Sequence, residues 1–386
     1  MSGPALSIGV TRFLLPAGRG REAGPGPSGE ADGTRLGVLV ELRDGDGVSG
    51  WGEASPLPGY ADETSRRAAA GVLAGAADPE LRTRLARIAS EEPPAATVAR
   101  LPVPAGVPAS ARAALVCAAL DLAGRRAGRP LRETLGAPGG AGRDVPVNAL
   151  VSLADPRDAV TAGLAAVRSG LATIKAKLGP AERFEADLAA LVALRGALGD
   201  GVALRLDANG LWRPEEAAPL LRRLADEVAP EYVEEPVPAG GLPALGPVPV
   251  PIAADESLRG PDATALLASG FVQVAVLKPG LLGGVDRCLD LARAAAEAGV
   301  RVVVTHAFEG PVGHAAACEL ALALAAGAVP GIELGTCGLA AHAALDAWPE
   351  VRVPQLRGDA VHAARVTGHG VDARPLRERA VGGIAR

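Results

Sequence analysis

The sequence predicts an α/β protein: an α+β domain first, then a parallel (β/α) barrel. Three observations point there. After Val145, strand-like apolar runs alternate with amphipathic Ala/Leu/Arg helices, the pattern of a parallel sheet covered by helices. No GxGxxG follows a first strand, which counts against the rival open, doubly wound sheet. Successive runs also end in charged residues, and strand ends are where an α/β barrel gathers its chemistry.

At 386 residues the chain is long enough for two domains. A hydrophobic content of 48% and a charged content of 22% describe a globular chain. The net charge of −5 argues against a nucleic-acid partner, which needs a concentrated basic surface. No apolar run reaches membrane-spanning length, and "MSGPALSIGV" lacks a secretory pattern, so a cytoplasmic location is expected. Cys117, Cys288, Cys318 and Cys337 are scattered and read as buried thiols in a reducing compartment.

The first domain is expected over residues 1–144. "ALSIGVTRFLL" reads as a strand, and "RLGVLVELRDGDGVSGWGEASPL" reads as a hairpin turning at Asp44–Gly47. Between them, the Gly/Pro-rich residues 17–33 suit either a plain connector or a lid over a site. Helical patterns follow to about Gly128, the clearest being "SARAALVCAALDLAGRRAG", with a Ser cap at its start and Gly at its end.

The barrel is expected over 145–337. Its strands are "VPVNALV", "ATIKAKL", "VALRLDA", "EYVEEP", "PIAADES", "VQVAVLKP", "RVVVTHA" and "GIELGT". The tail, about 338–386, has little helical period and is expected to pack back on the first domain.

The second to sixth strands end in charge: Lys175 and Lys177, Asp207, Glu234 and Glu235, Asp255 and Glu256, and Lys278. Three acidic ends converging on one point repel, so a hard divalent cation is expected between them, Mg²⁺ or Mn²⁺ rather than Zn²⁺. Lys175, Lys177 and Lys278 are the chain's three lysines. Side chains two apart on a strand share a face, so Lys175 and Lys177 both point into the barrel mouth. A second ammonium and a nearby cation disfavour protonation of Lys177, which suits it to act as a base. The chemistry that fits is removal of a proton α to a carboxylate, with cations stabilising the charge that forms.

"IKAKLG", "LRLDANGLW", "YVEEP", "AADES" and "VLKPG" together resemble the motifs of the enolase superfamily, in its muconate-lactonizing subgroup. The resemblance covers nearly the whole chain and implies a modified (β/α)₇β TIM-like barrel under a capping domain. It implies Lys177 as catalytic base, Lys278 as the amine on the other face and Lys175 in support. Asp207, Glu234 and Asp255 would be the metal ligands. The residue pattern does not choose between Glu234 and Glu235; the family motif points to the first.

"GWGEASPLPGYADET" resembles a cap loop of the o-succinylbenzoate synthases, which nominates Pro58, Gly59 and Tyr60 as substrate contacts. The implied reaction dehydrates 2-succinyl-6-hydroxy-2,4-cyclohexadiene-1-carboxylate to o-succinylbenzoate, a step of menaquinone synthesis. Asn209 would support the substrate. The seventh strand departs from the synthases' serine-rich pattern, and Thr305, the backbone near Gly310 and the helix start are expected to replace it. His306 suits either a hydrogen bond to substrate or one to a neighbouring carbonyl. "GIELGTCG" lacks the DxD typical of dipeptide epimerases. N-acylamino acid racemase, dipeptide epimerase and muconate cycloisomerase remain rivals on one scaffold, and a non-catalytic barrel is a rival of another class. A small carboxylate is the expected partner, with the chain either a monomer or a homo-oligomer. His314, His342, His362 and His369 show no metal-binding spacing and are expected to be structural.

Overall fold

The computed structural model describes residues 6–16, 34–57, 63–90, 106–140 and 142–381. Pro58, Gly59, Tyr60 and the 17–33 segment lie outside the described residues.

The first unit opens with an antiparallel sheet of β1 (Ser7–Pro16), β2 (Thr34–Arg43) and β3 (Ser49–Ala54), in that order. The Asp44 carboxylate accepts from Asp46 N (3.0 Å) and Val48 N (2.9 Å), and Gly47 takes φ 84°, so the β2–β3 turn forms where its residues dictate. α1 (Ser65–Ala77) and α3 (Ala109–Ala127) pack on the sheet, and α2 (Pro79–Ser90) packs against α3. α3 lies directly against β3: a Cβ at Gly52 would sit 1.9 Å from Ala114 O, so only glycine fits there. α3 ends at Gly128 in the left-handed conformation, as a glycine stop should. Its start differs from expectation. Pro108 occupies the cap position and Ser110 lies inside the helix, where its hydroxyl and amide engage Glu63.

After the short α4 (Leu131–Thr134) comes the barrel. The first expected strand divides. β4 (Val145–Pro146) pairs with the tail, and β5 (Ala149–Val151) enters the parallel sheet. Then follow α5 (Pro156–Arg168), β6 (Thr173–Lys177), α6 (Phe184–Leu198), β7 (Ala203–Asp207), α7 (Pro214–Glu227), β8 (Tyr232–Glu234), β9 (Ile252–Ala254), α8 (Ala263–Ala268), β10 (Val274–Leu277), α9 (Pro279–Leu282), α10 (Val285–Glu297), β11 (Arg301–Val304) and α11 (Pro311–Ala325). β5 to β11 form a seven-stranded parallel sheet in chain order. The eighth run, "GIELGT", forms no ladder of its own. It contributes a single bridge, Val302↔Leu334, and the residues just beyond it add Thr305↔Gly338 on the same side and Val147↔Cys337 on the other. These bridges link the last strand to the first and curl the sheet closed.

Alternation along the strands decides what faces the barrel axis. Tyr232, Ala253, Val274, Val276 and Val303 form an apolar cluster within the sheet. The buried Arg205 guanidinium lies 5.0 Å from the centre of the Tyr232 ring. One pleat further toward the C-terminal ends come Lys177, Asp207 and Glu234, mutually opposite in register.

The tail contains α12 (Ala343–Asp346), β12 (Leu356–Arg357), β13 (Ala360–Val361) and α13 (Arg374–Glu378). Trp348, Val351, Val371 and Leu376 bury themselves against Phe13, Leu15 and Trp51 of the first unit and Val312 of α11. Among the described residues no helix is long and apolar enough to cross a membrane.

Candidate active site

All three lysines of the chain meet three carboxylates at the C-terminal ends of β6 to β10. Lys175 Nζ lies 2.5 Å from Glu234 Oε2 and 2.9 Å from Asp207 Oδ2. Lys177 Nζ donates to Asn209 Oδ1 at 2.8 Å and stands 3.4 Å from Asp207 Oδ2. From the other side of the acidic set, Lys278 Nζ pairs with Asp255 Oδ2 and lies 3.9 Å from Glu234 Oε1. Lys177 is the most open of the three ammonium groups, its side chain 32% exposed against 14% for Lys175 and 7% for Lys278.

Adjacent acids point opposite ways, and this separates Glu234 from Glu235. Glu234 faces the lysines, whereas Glu235 accepts from Asp255 N (2.8 Å), Ser257 N (3.2 Å) and the Ser257 hydroxyl. Glu235 takes φ 40° and Asn209 φ 47°, left-handed conformations that side chains rarely adopt; such strain collects at functional sites. At Asn209 an N–H bond to Asp207 Oδ1 (3.0 Å) holds the turn.

The electrostatics follow from burial and neighbours. Burial disfavours the Asp207 anion, but Lys175, Lys177 and Lys278 outweigh it and hold the carboxyl far below its usual range. Burial and the Asp207 charge push Glu234 up to about 7, against the pull of Lys175 and Lys278. Two carboxylates thus compete for one ammonium, and Asp207 has the stronger claim. Burial alone would lower Lys175 and Lys278; the facing carboxylates reverse that and raise both. Burial and Asp255 push Glu256 up to about 7.

The donor set is all oxygen. Glu234 Oε1 is buried without a hydrogen-bond partner, as are Glu256 Oε2 and Asn209 Nδ2. A buried carboxylate oxygen that accepts no hydrogen bond is costly, and three carboxylates from adjacent strands with one such oxygen fit a hard divalent cation. Two surface clefts of about 590 and 640 Å³, next to Trp51 and Arg132, share no lining residue with this cluster. The convergence of charge, rather than cleft size, locates the site.

Around β11 the structure departs from the sequence reading. Thr305 donates its hydroxyl to Gly338 O at 2.9 Å, a stitch to the closing segment. The start of α11 is already filled. Glu53 of the first unit accepts from Gly310 N (2.5 Å), Val312 N (3.1 Å) and Gly313 N (3.0 Å), so that helix start is not open to a substrate anion. Arg35, fully buried, binds the carbonyls of Ser55, Pro56 and Phe308 and ties the same loop to β2. His306 Nδ1 accepts from Phe308 N at 3.1 Å. His314 and His342, expected to be structural, stand beside it: one ring nitrogen from each of the three lies within 4.8 Å of the others. Sequence spacing hid this cluster because the residues come from a loop, a helix and the tail. Four other features were also missed: the roles of Glu53 and Arg35, and the unpaired atoms of Glu256 and Asn209. A buried Glu and Arg in apolar strands were the available signal for the first two.

The enolase C-terminal domain-like family matches residues 159–375, and the mandelate racemase / muconate lactonizing enzyme N-terminal domain matches 30–136. A hydrophobic dipeptide epimerase of Enterococcus faecalis is 34% identical over 220 residues, 55% of this chain and 60% of that protein. An o-succinylbenzoate synthase of Thermobifida fusca is 39% identical over 196 residues, 49% of this chain and 59% of that one. The chain thus spans about three-fifths of the length of these two relatives. A hydrophobic dipeptide epimerase of Roseobacter litoralis is 31% identical over 274 residues, 69% and 74% of the two chains. Among solved structures, the E. faecalis dipeptide epimerase complexed with Mg and L-Leu-L-Tyr superposes with TM-score 0.73 at 25% identity, covering 95% of this chain and 98% of that one. A muconate lactonizing enzyme from Pseudomonas putida shares the fold at TM-score 0.74 and 24% identity, covering 97% and 99%. By its matched domains and its fold, the chain belongs to the enolase superfamily, in the muconate-lactonizing-like group.

Proposed function

We propose that this protein removes a proton α to a carboxylate of a small substrate, with Lys177 as base and Lys278 as the cation on the opposite face. The observation that carries the reading is the meeting of the chain's three lysines with Asp207, Glu234 and Asp255, among them a buried Glu234 Oε1 that accepts no hydrogen bond. Asp207, Glu234 and Asp255 would hold Mg²⁺. The bound ion would fix the substrate carboxylate and offset the negative charge that develops as the proton leaves. Lys175 keeps Asp207 and Glu234 in place, and Asn209 aims the Lys177 amine through its 2.8 Å contact.

The finer reading is o-succinylbenzoate synthesis. Lys177 takes the ring proton, the ring hydroxyl leaves with a proton returned by the Lys177 ammonium, and water and the aromatic dicarboxylate result. Support comes from the cap sequence "GWGEASPLPGY", from the lack of DxD in "GIELGTCG", and from the 39% identity to the T. fusca synthase. Epimerisation of dipeptides is the second reading. Amines on both faces of the α carbon suit it, and two of the relatives named above are dipeptide epimerases.

The deciding experiment incubates the Mg²⁺-loaded protein with the cyclohexadiene acid and, separately, with dipeptides in heavy water. Rapid formation of the aromatic product, with slow dipeptide exchange, is expected. Fast deuterium entry into dipeptides without aromatic product overturns the dehydration. Failure of Lys177→Ala to slow either process overturns the base assignment.

A further inference from the structure

We infer that His306, His314 and His342 form a second metal site, one that takes a borderline transition-metal ion such as Zn²⁺ or Co²⁺. Its ligands are distinct from the oxygen cluster of Asp207, Glu234 and Asp255. Three of the chain's five histidines meet here, with ring centroids 4.2 to 5.1 Å apart. His314 Nε2 contacts Leu339 O at 3.1 Å, and as donor there it leaves the Nδ1 lone pair facing His342 Nε2 at 3.2 Å. Two nitrogens bound to tetrahedral zinc at roughly 2.0–2.1 Å stand about 3.4 Å apart, so this pair is already near ligand spacing. An imidazole fixed by an N–H bond to a backbone carbonyl is also how metal-bound histidines are oriented. His342 Nδ1 is buried without a partner, so the cluster does not satisfy itself.

The protonation state suits an ion. Burial holds His314 down to about 4 and His342 down to about 2, and His306 is lowered too, so the rings are neutral at neutral pH. Coordination through His342 Nε2 moves that ring's proton to Nδ1, with no net proton lost. Two costs oppose binding. The Phe308 N–H bond to His306 Nδ1 has to open whichever His306 nitrogen binds, since binding through Nε2 moves the ring proton to Nδ1, and Lys175, Lys278 and Arg35 repel a cation from their side. The all-nitrogen donor set explains why Mg²⁺ does not compete for the site. Because His342 belongs to the tail and His306 follows β11, the ion would fasten the tail to the barrel rim.

The test titrates the full chain with Co²⁺ in saturating Mg²⁺. We expect one Co²⁺ per chain with the strong visible absorption of a four-coordinate ion held by three histidine nitrogens and a water, displaced by Zn²⁺. His342→Ala should weaken it by at least ~10-fold, the loss that even an outer-shell change brings, while Asp255→Asn leaves the spectrum in place. No saturable spectrum, a spectrum indifferent to His342→Ala, or one lost in Asp255→Asn overturns the inference. His342→Gln serves if the Ala variant does not fold. A further measurement needs no variant: Zn²⁺ should protect His306 and His342 from diethylpyrocarbonate, and equal modification with and without Zn²⁺ also refutes the site.

Discussion

On one side of the barrel mouth, Lys175, Lys177, Asp207 and Glu234 are placed by strand register alone. Lys175 and Lys177 share one face of β6, Lys177 lies directly opposite Asp207 on β7, and Asp207 lies opposite Glu234 on β8. On the other side, His306, His314 and the loop between them are held from outside the barrel: Glu53 caps α11, Arg35 grips Phe308 O, and the tail supplies His342. The first side is a local consequence of alternation in strands. The second depends on contacts more than 250 residues apart in sequence, 257 for Glu53–Gly310 and 273 for Arg35–Phe308. The proposed chemistry therefore rests on the side built by register, while the other side takes its shape from the cap and the tail.

The largest effects should fall on the register-built side. Lys177→Ala is expected to lower turnover by ~10²–10⁴, the usual contribution of a positioned general base, with folding intact because its side chain is partly exposed. Steady-state rates with circular dichroism check it. Lys278→Ala separates the two proposed reactions. Under dehydration, where Lys278 acts only as a cation, the variant is slowed but still forms the aromatic product; under epimerisation inversion stops, although Lys177 still exchanges the α proton of one epimer. Removing the divalent ion with EDTA should abolish turnover, and Mg²⁺ should restore it. Activity that survives exhaustive chelation would count against the whole oxygen-lined reading.

On the cap-held side the effects should appear as stability. Glu53→Ala strips the acceptor from Gly310, Val312 and Gly313 N–H groups at the start of α11. Two buried donors, a third half-buried one and a lost helix-end charge should cost about 3 kcal/mol, discounted from the sum because the bonds share one carboxylate. Thermal unfolding measures this, and Glu53→Gln, which keeps an acceptor, should recover part of it. A Glu53→Ala variant as stable as the parent would mean the cap does not hold this side.

The same contrast explains what could be read from sequence. Lys175, Lys177, Asp207, Asp255 and Lys278 were legible because a period of two along a strand fixes the face, and strand ends fix the height. Glu234 was legible only with the family motif, since a left-handed Glu235 reverses the pleat where a simple pattern could go either way. The eighth strand looked as regular as the others, yet Leu334 and Gly338 make only single bridges, because pairing depends on neighbours that periodicity does not describe. The filled start of α11 could not be seen at all. "FEGPVGH" reads as an open helix N-terminus until the fold brings Glu53 to it.

The smallest expected effect tests the seam between cap and tail. His369 is fully buried, contacting Trp51 O at 3.1 Å and Asp121 at 3.4 Å, and its amide N–H donates to Asp121 Oδ1 at 2.8 Å. Burial lowers its pKa; Asp121 pulls the other way, and Arg125 adds to the lowering. A histidine whose folded pKa is depressed binds fewer protons folded than unfolded, so stability is retained above the ordinary value of ~6.5 and falls as the pH drops below it. One group cannot contribute more than ~1.4 kcal/mol per pH unit. Unfolding midpoints at pH 7.5 and 5.5 should therefore drop more for the parent than for His369→Gln, which cannot titrate there. The other buried histidines act equally in both proteins and cancel in the difference. Parallel pH dependence in the two would show that the His369 imidazole can charge in place, and that the seam is wetter than its burial implies.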